Sequence, residues 1–256
     1  MNWKTFVALL SRDALIARRN LLLTLMQNLL QPLLLTFVFG RILTSSGMMQ
    51  GAYKSVLLPG IISISMVMGG IWSVAMPLIS EFQFTKEIED RLLAPIASHW
   101  LAVEKVIAGM IQALVSGLVV IPCGWLVMGS GVRLNFGHPF EFLAICLLVA
   151  LLAAAGGLTL GCSIGQAQIG LMFSMIIAPM MMFGCAYYPW AALQVIPWFQ
   201  KLVLINPLVY ASEGFRAALT AQLPHMPLWA IFGGLLGFSA LFTFLGVRQF
   251  ERRAVE

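Results

Sequence analysis

Apolar runs of about 20 residues, the length needed to cross a bilayer, alternate with short polar connections along most of the chain. Leu21–Leu43, Val56–Ile79, Val106–Met128, Phe140–Cys162, Ile169–Tyr187 and Leu228–Val247 are such runs, so six transmembrane helices are predicted. Ahead of them, residues 1–20 set Trp3, Phe6, Val7, Leu10, Ala14 and Ala17 at helical spacing, with Lys4, Arg12 and Arg19 opposite. That spacing predicts an amphipathic helix lying on the membrane surface, or one docked against a partner protein.

Two stretches break the rhythm. Residues 188–216 are apolar enough for a membrane, yet Pro189, Pro197 and Pro207 cut them into pieces too short to span. Broken backbone at membrane depth survives only where protein or a water-filled cavity satisfies it, which predicts a re-entrant helical hairpin before the sixth span. Its last turn carries Glu213 and Arg216, three residues apart. The second stretch, residues 80–105, holds Glu81, Glu87, Glu89, Asp90 and Glu104 against Lys86, Arg91 and Lys105. It is expected in water, as two short helices broken at Pro95. Its Leu92, Leu93, Ile96 and Trp100 would be wasted there, which favours a docking surface over a plain solvated loop.

Composition agrees with a membrane protein. The chain is 60% hydrophobic and 10% charged with a mean hydropathy of +0.93, whereas soluble domains carry about 25% charged residues. The net charge of +5 sits mostly beside spans, which assigns it to topology and anionic lipid rather than nucleic acid. Six spans put both termini on one side, together with Lys4, Arg12, Arg18, Arg19, Lys86, Arg91, Lys105, Arg248, Arg252 and Arg253. The basic bias makes that side cytoplasmic, so the charged loop faces the cytoplasm and the hairpin opens outward.

Candidate chemistry is sparse. No G-x-x-x-x-G-K-[ST] phosphate loop and no H-E-x-x-H motif occurs in the sequence. His99, His138 and His225 stand far apart, no Ser/His/Asp set is evident, and Cys123, Cys146, Cys162 and Cys185 read as small hydrophobes. No catalytic or metal site is expected. Within the first span, Gln27, Asn28 and Gln31 form with Thr24 a polar stripe, open to two readings: interhelical hydrogen bonding or a wall of a substrate path. Gly157, Gly161 and Gly165, and again Gly233 and Gly237, fall four apart and offer close helix approach.

The run from Gly184 through Pro189, Pro197, Leu204-Ile205-Asn206-Pro207-Leu208, Tyr210 and Arg216 resembles the signature of the ABC transporter type-2 permeases, bacterial exporters of drugs, lipids and polysaccharides. Glu87-Ile88-Glu89-Asp90-Arg91-Leu92-Leu93-Ala94-Pro95 is similar to that family's glutamate, paired leucines and proline after the second span. The family often has Arg-Glu followed by a Gly-Thr pair before the leucines, whereas this chain reads Lys86-Glu87-Ile88-Glu89-Asp90, which bears on coupling geometry rather than membership. The resemblance covers essentially the whole chain.

It implies a permease subunit paired with a second permease, identical or related, and with two separate nucleotide-binding ATPase subunits that hold ATP and Mg. No cofactor is then bound by this chain. Glu81, Glu87, Glu89, Asp90, Arg91, Leu92 and Leu93 would form the ATPase-coupling interface, including a cytoplasmic coupling helix. Gln27, Asn28 and Gln31 would wet the substrate path. Tyr187, Tyr188, Trp190, Asn206, Tyr210, Glu213 and Arg216 would form the exit gate of an inner-membrane exporter of amphiphiles. Glu213 and Arg216 are open to contact with cargo or to a hinge-stabilising pair. A secondary transporter driven by ions is the competing function, although no span carries a carboxylate or histidine well inside it.

Overall fold

The computed structural model describes residues 32–46, 53–82, 98–129, 134–135 and 137–255, with isolated positions among residues 7–30. The regular structure of these residues is helical: α1 (Pro32–Ser45), α2 (Tyr53–Ser80), α3 (Ser98–Met128), α4 (Pro139–Ser163) and α5 (Ile169–Met182) come first. A 3₁₀ turn (Trp190–Val195), α6 (Pro197–Leu202), α7 (Pro207–Leu219) and α8 (Leu228–Val255) follow. By length and composition α2, α3, α4 and α8 can cross a membrane, while α1 and α5 are shorter apolar helices. Of the expected surface helix only scattered positions are described, and residues 83–97 lie outside the described set.

The bundle is built around α2, which lies along α3, α4 and α7, while α8 packs on the other side of α4. Small residues allow this. A Cβ on Gly157 would stand 2.8 Å from the Ile71 carbonyl oxygen, and one on Gly161 3.0 Å from the Ala75 Cα, so the backbones of α4 and α2 touch. Lipid gives helices no hydrophobic reason to associate, and close backbone contact supplies dispersion energy instead. The expected Gly157/Gly161 groove is therefore filled by α2 of the same chain. Gly165 falls beyond the end of α4, and Gly233 and Gly237 face open space.

Helix limits differ from the apolar runs in instructive places. Helix α3 starts at Ser98, so Glu104 and Lys105 are buried helical residues rather than parts of a watery loop. Counter-charges from Asp13 and Glu81 make that burial tolerable for Lys105. Helix α8 continues through the basic tail to Val255. Helix α5 ends at Met182, short of Tyr187, because the chain then passes through Gly184 and a left-handed Cys185 at φ +52°.

Helices α1 and α5 share two traits. Each contains a π-helical stretch, Val38–Ile42 and Phe173–Ile177, and each exposes apolar side chains such as Leu34, Phe37, Met175 and Ile176. A π-bulge widens a helix turn and is common at functional sites.

Replacing Gly157 by alanine is expected to destabilise the bundle by about 1–3 kcal/mol through overpacking. Gly233→Ala, on the open face, is expected to be neutral or slightly stabilising; thermal unfolding in detergent compares them.

Candidate functional site

Where α5 stops, the chain leaves helical geometry and frees a series of backbone carbonyls. Each of five finds a side-chain donor. Asn206 Nδ2 donates to the Met180 carbonyl at 2.8 Å, and the Tyr188 hydroxyl to that of Met182 at 3.2 Å. Arg216 donates from Nη2 to the carbonyls of both Cys185 and Ala186. The Tyr53 hydroxyl donates to the Tyr187 carbonyl at 2.7 Å. In apolar surroundings each orphan carbonyl would cost several kcal/mol, so these side chains are what make the break possible.

Glu213 does the complementary work for amides. Its Oε1 accepts from the backbone N–H of Trp190 at 2.8 Å, and its Oε2 from that of Met226 at 2.8 Å. The Glu213 Oε1 also pairs with Arg216 Nη1 at 2.7 Å, and both side chains are completely buried. Arg216 Nε reaches the Val56 carbonyl of α2 at 3.3 Å. One ion pair therefore ties the start of the hairpin, the first turns of α2 and the connection into α8 to a single point. A planar guanidinium suits this task because its three nitrogens serve four acceptors at once, whereas a lysine ammonium offers three donors from a single nitrogen.

The prolines act as helix starts. Pro197 and Pro207 occupy the first turns of α6 and α7, where a missing N–H costs nothing, and Pro189 precedes the 3₁₀ turn. Asn206 caps α7 by accepting from Leu208 N at 3.0 Å while its amide holds the end of α5. The excursion that leaves at Met180 thus closes on itself at Asn206. Within it, Trp190 and Gln200 exchange two hydrogen bonds, Nε1–H to the Gln200 carbonyl at 3.1 Å and Nε2 to the Trp190 carbonyl at 3.2 Å. The Tyr210 hydroxyl donates to Leu204 O at 3.0 Å.

The hairpin root seats on α2 through a close approach. A Cβ on Gly60 would fall 1.8 Å from the Ala186 carbonyl oxygen, the same oxygen that Arg216 holds. Nearby, the Ser63 and Ser212 hydroxyls share a buried hydrogen bond of 2.8 Å. Beside the hairpin, an apolar crevice of about 510 Å³ opens between α4, α5, α6 and α8, with Met175, Ile176, Phe183, Phe199 and Phe242 among its walls.

Tyr187, Tyr188, Trp190, Asn206, Tyr210, Glu213 and Arg216 are therefore brought together at one end of α2. Glu81 lies at the other, paired with Lys105 at 2.8 Å. From Val56 to Glu81 the rise of 1.5 Å per residue separates these ends by about 38 Å, more than a hydrocarbon core. Gln27, Asn28, Gln31, Glu87, Glu89, Asp90, Arg91, Leu92 and Leu93 lie outside the described residues. Among the described residues no cluster of three or more metal-ligating side chains forms. Sequence reasoning missed Tyr53, Gly60, Ser63 and Lys105. The Asn-Pro pair at 206–207 is a readable capping signal, whereas nothing local marks Gly60 as a contact point.

Arg216→Met and Glu213→Gln are each expected to lower stability by about 3–5 kcal/mol, because each strands a buried charge. The double variant should lose less than the sum, read as a double-mutant cycle by thermal unfolding in detergent.

Comparison with known proteins adds an independent line. A family model described as ABC-2 type transporter matches residues 4–220. The protein called inner membrane transport permease YadH in Escherichia coli strain K12 is 28% identical over 223 residues, covering 86% of this chain and 84% of its own length. Proteins of the same name from Escherichia coli O157:H7 and Shigella flexneri match to the same extent, at 28% identity over 223 residues.

Proposed function

The chain belongs to the ABC-2 type transporter family, and from that premise we propose that it is the permease subunit of an ATP-driven exporter, working with a separate ATPase. Membership makes it the membrane component of a transporter and not itself the catalyst. The finer reading is ours: six spans, both termini in the cytoplasm, residence in the inner membrane, and outward movement of an amphiphilic cargo such as a drug, lipid or lipid-linked glycan.

The observation that carries this reading is the two-ended layout of α2. A braced hairpin occupies one end and the roots of a charged loop occupy the other, about a membrane thickness apart. On this reading Glu87, Glu89, Asp90, Arg91, Leu92 and Leu93 meet the ATPase, while Glu81, expected among them, is buried against Lys105 and stands behind that surface. ATP and Mg belong to that partner, in keeping with the absence of a phosphate loop here. ATP binding moves the loop, and packed helices rock as rigid bodies between two arrangements.

A second permease, identical or related, would cover the exposed apolar faces of α1 and α5, whose π-stretches suit helices that shift. Gln27, Asn28 and Gln31 on the same first span would then wet the path between the two copies. Cargo leaves past Tyr187, Tyr188 and Trp190. Glu213 and Arg216 serve as the brace rather than as cargo ligands, since both are fully buried and their polar atoms are engaged. The apolar crevice beside the hairpin supports a cargo with a hydrocarbon portion.

The purified chain alone is expected to hydrolyse no ATP, and to copurify with an ATPase when the two are coexpressed. Replacing Glu87, Glu89 and Asp90 by lysine should sever ATP turnover from transport by reversing the charge of the docking surface. Transport that outlives loss of every ATPase but collapses with the ion gradient would instead establish a secondary transporter.

A further inference from the structure

At the end of α2 away from the hairpin, the two roots of the 83–97 segment are held by Lys105 and Arg253, to which the transporter reading gives no role. Glu81, on the last turn before the segment, accepts from Lys105 Nζ at 2.8 Å, and the same nitrogen donates to Asp13 Oδ2 at 2.9 Å. Lys105 belongs to α3, the helix that begins directly after the segment. It is 5% exposed and Glu81 7%, so a buried ionic bridge joins the N-terminal segment, the end of α2 and α3. Desolvated charges cost more than a surface pair can return, and a structure that merely needed stability would use apolar side chains here. Buried ionic bridges are instead good at fixing one arrangement of elements.

The adjacent residue, Phe82, is clamped by α8. The Arg253 guanidinium lies 5.0 Å from the ring centre of Phe82, and Phe250 meets the same ring edge-on at 5.9 Å. Arg253 Nη1 also donates to the Cys162 carbonyl at 2.8 Å, one of the free carbonyls ending α4. On the far root, His99 of α3 stands 3.9 Å from Glu251 of α8. The last turns of α8 thus touch both roots and the end of α4.

We propose that Lys105 and Arg253 are positioning residues that join the roots of the 83–97 segment to α3, α4 and α8, so that a displacement imposed on that segment moves the bundle as one body. The inference rests on the transporter reading, since it needs an ATPase to impose the displacement. Without the two bridges the segment would shift at its own roots, and little of the motion would cross α2 to the hairpin. Lys105 does this by charge, held between two carboxylates. Arg253 does it by stacking and by its carbonyl bond, which lysine could not reproduce in plane.

The test uses the full chain coexpressed with its ATPase and purified in lipid nanodiscs, which leave both faces open to ATP and to the label, with Cys123→Ser to remove a partly exposed thiol and Val195→Cys as a reporter on the exposed hairpin. Labelling of that reporter by a membrane-impermeant maleimide is timed with and without ATP and vanadate. In the parent the trapped state is expected to change the labelling rate. Lys105→Met and Arg253→Gln should each shrink that change by about twofold to thirtyfold, the range for mutations that weaken coupling between distant sites. ATPase copurification and basal hydrolysis should persist, and Lys105→Arg should restore the response.

A parent-sized response in both Lys105→Met and Arg253→Gln overturns the inference and leaves the transporter reading intact. If Lys105→Met does not reach the membrane, Arg253→Gln decides alone. A parent that captures no ATPase, or whose reporter ignores nucleotide, overturns the transporter reading and this inference with it.

Discussion

A polypeptide that abandons helical geometry in oil exposes carbonyls and amides that only the protein can satisfy, and the structure is arranged around meeting that demand. The break after α5 frees carbonyls at Met180, Met182, Cys185, Ala186 and Tyr187, and the restart of the chain frees amides at Trp190 and, before α8, at Met226. Arg216 supplies donors to two of the first set, Cys185 and Ala186, and Glu213 supplies acceptors to the second. Each charge is the other's counter-ion, so neither is stranded. The pair is buried because the groups it serves are buried.

The geometry follows from that constraint. Since Arg216 also reaches the Val56 carbonyl, the hairpin is fixed to the start of α2, and the missing side chain at Gly60 lets the Ala186 carbonyl come close enough to be held. Helix α2 then runs through the middle of the bundle, pressed against α4 by Gly157 and Gly161. At its far end it meets a second polar cluster, Lys105 with Asp13 and Glu81. Helix α2 is thus a closely packed rod with a polar fastening at each end. Helices α1 and α5, each with a π-stretch and an uncovered apolar face, are the loosely attached parts of the same frame.

Polar residues in this chain therefore divide by what they answer to. Glu213, Arg216 and Asn206 answer to local backbone that prolines have interrupted. Lys105 and Glu81 answer to each other across the base of a charged segment. Thr159 Oγ1 shares itself between the Ala155 and Phe242 carbonyls, which fastens α4 to α8 without any charge. Hydrogen bonds of this last kind are the ordinary glue of membrane helices.

Much of this was legible in the order of residues, because it depends on neighbours in the chain. Long apolar runs marked α2, α3, α4 and α8 as helices able to cross a membrane, and Pro189, Pro197 and Pro207 marked where the chain is interrupted. The three-residue spacing of Glu213 and Arg216 announced a pair on one helix face. What they hold was not legible, since the Val56 carbonyl is 160 positions away and a carbonyl looks alike at every residue. Nor could hydropathy place Lys105, whose charge argues for water until folding brings Asp13 and Glu81 beside it. Sequence alone determined which segments are long and apolar enough to cross a membrane and where prolines interrupt the chain, because apolar length and proline geometry are set locally. Only the tertiary structure decided which partners satisfy the buried polar groups, because those partners become neighbours only when the helices assemble.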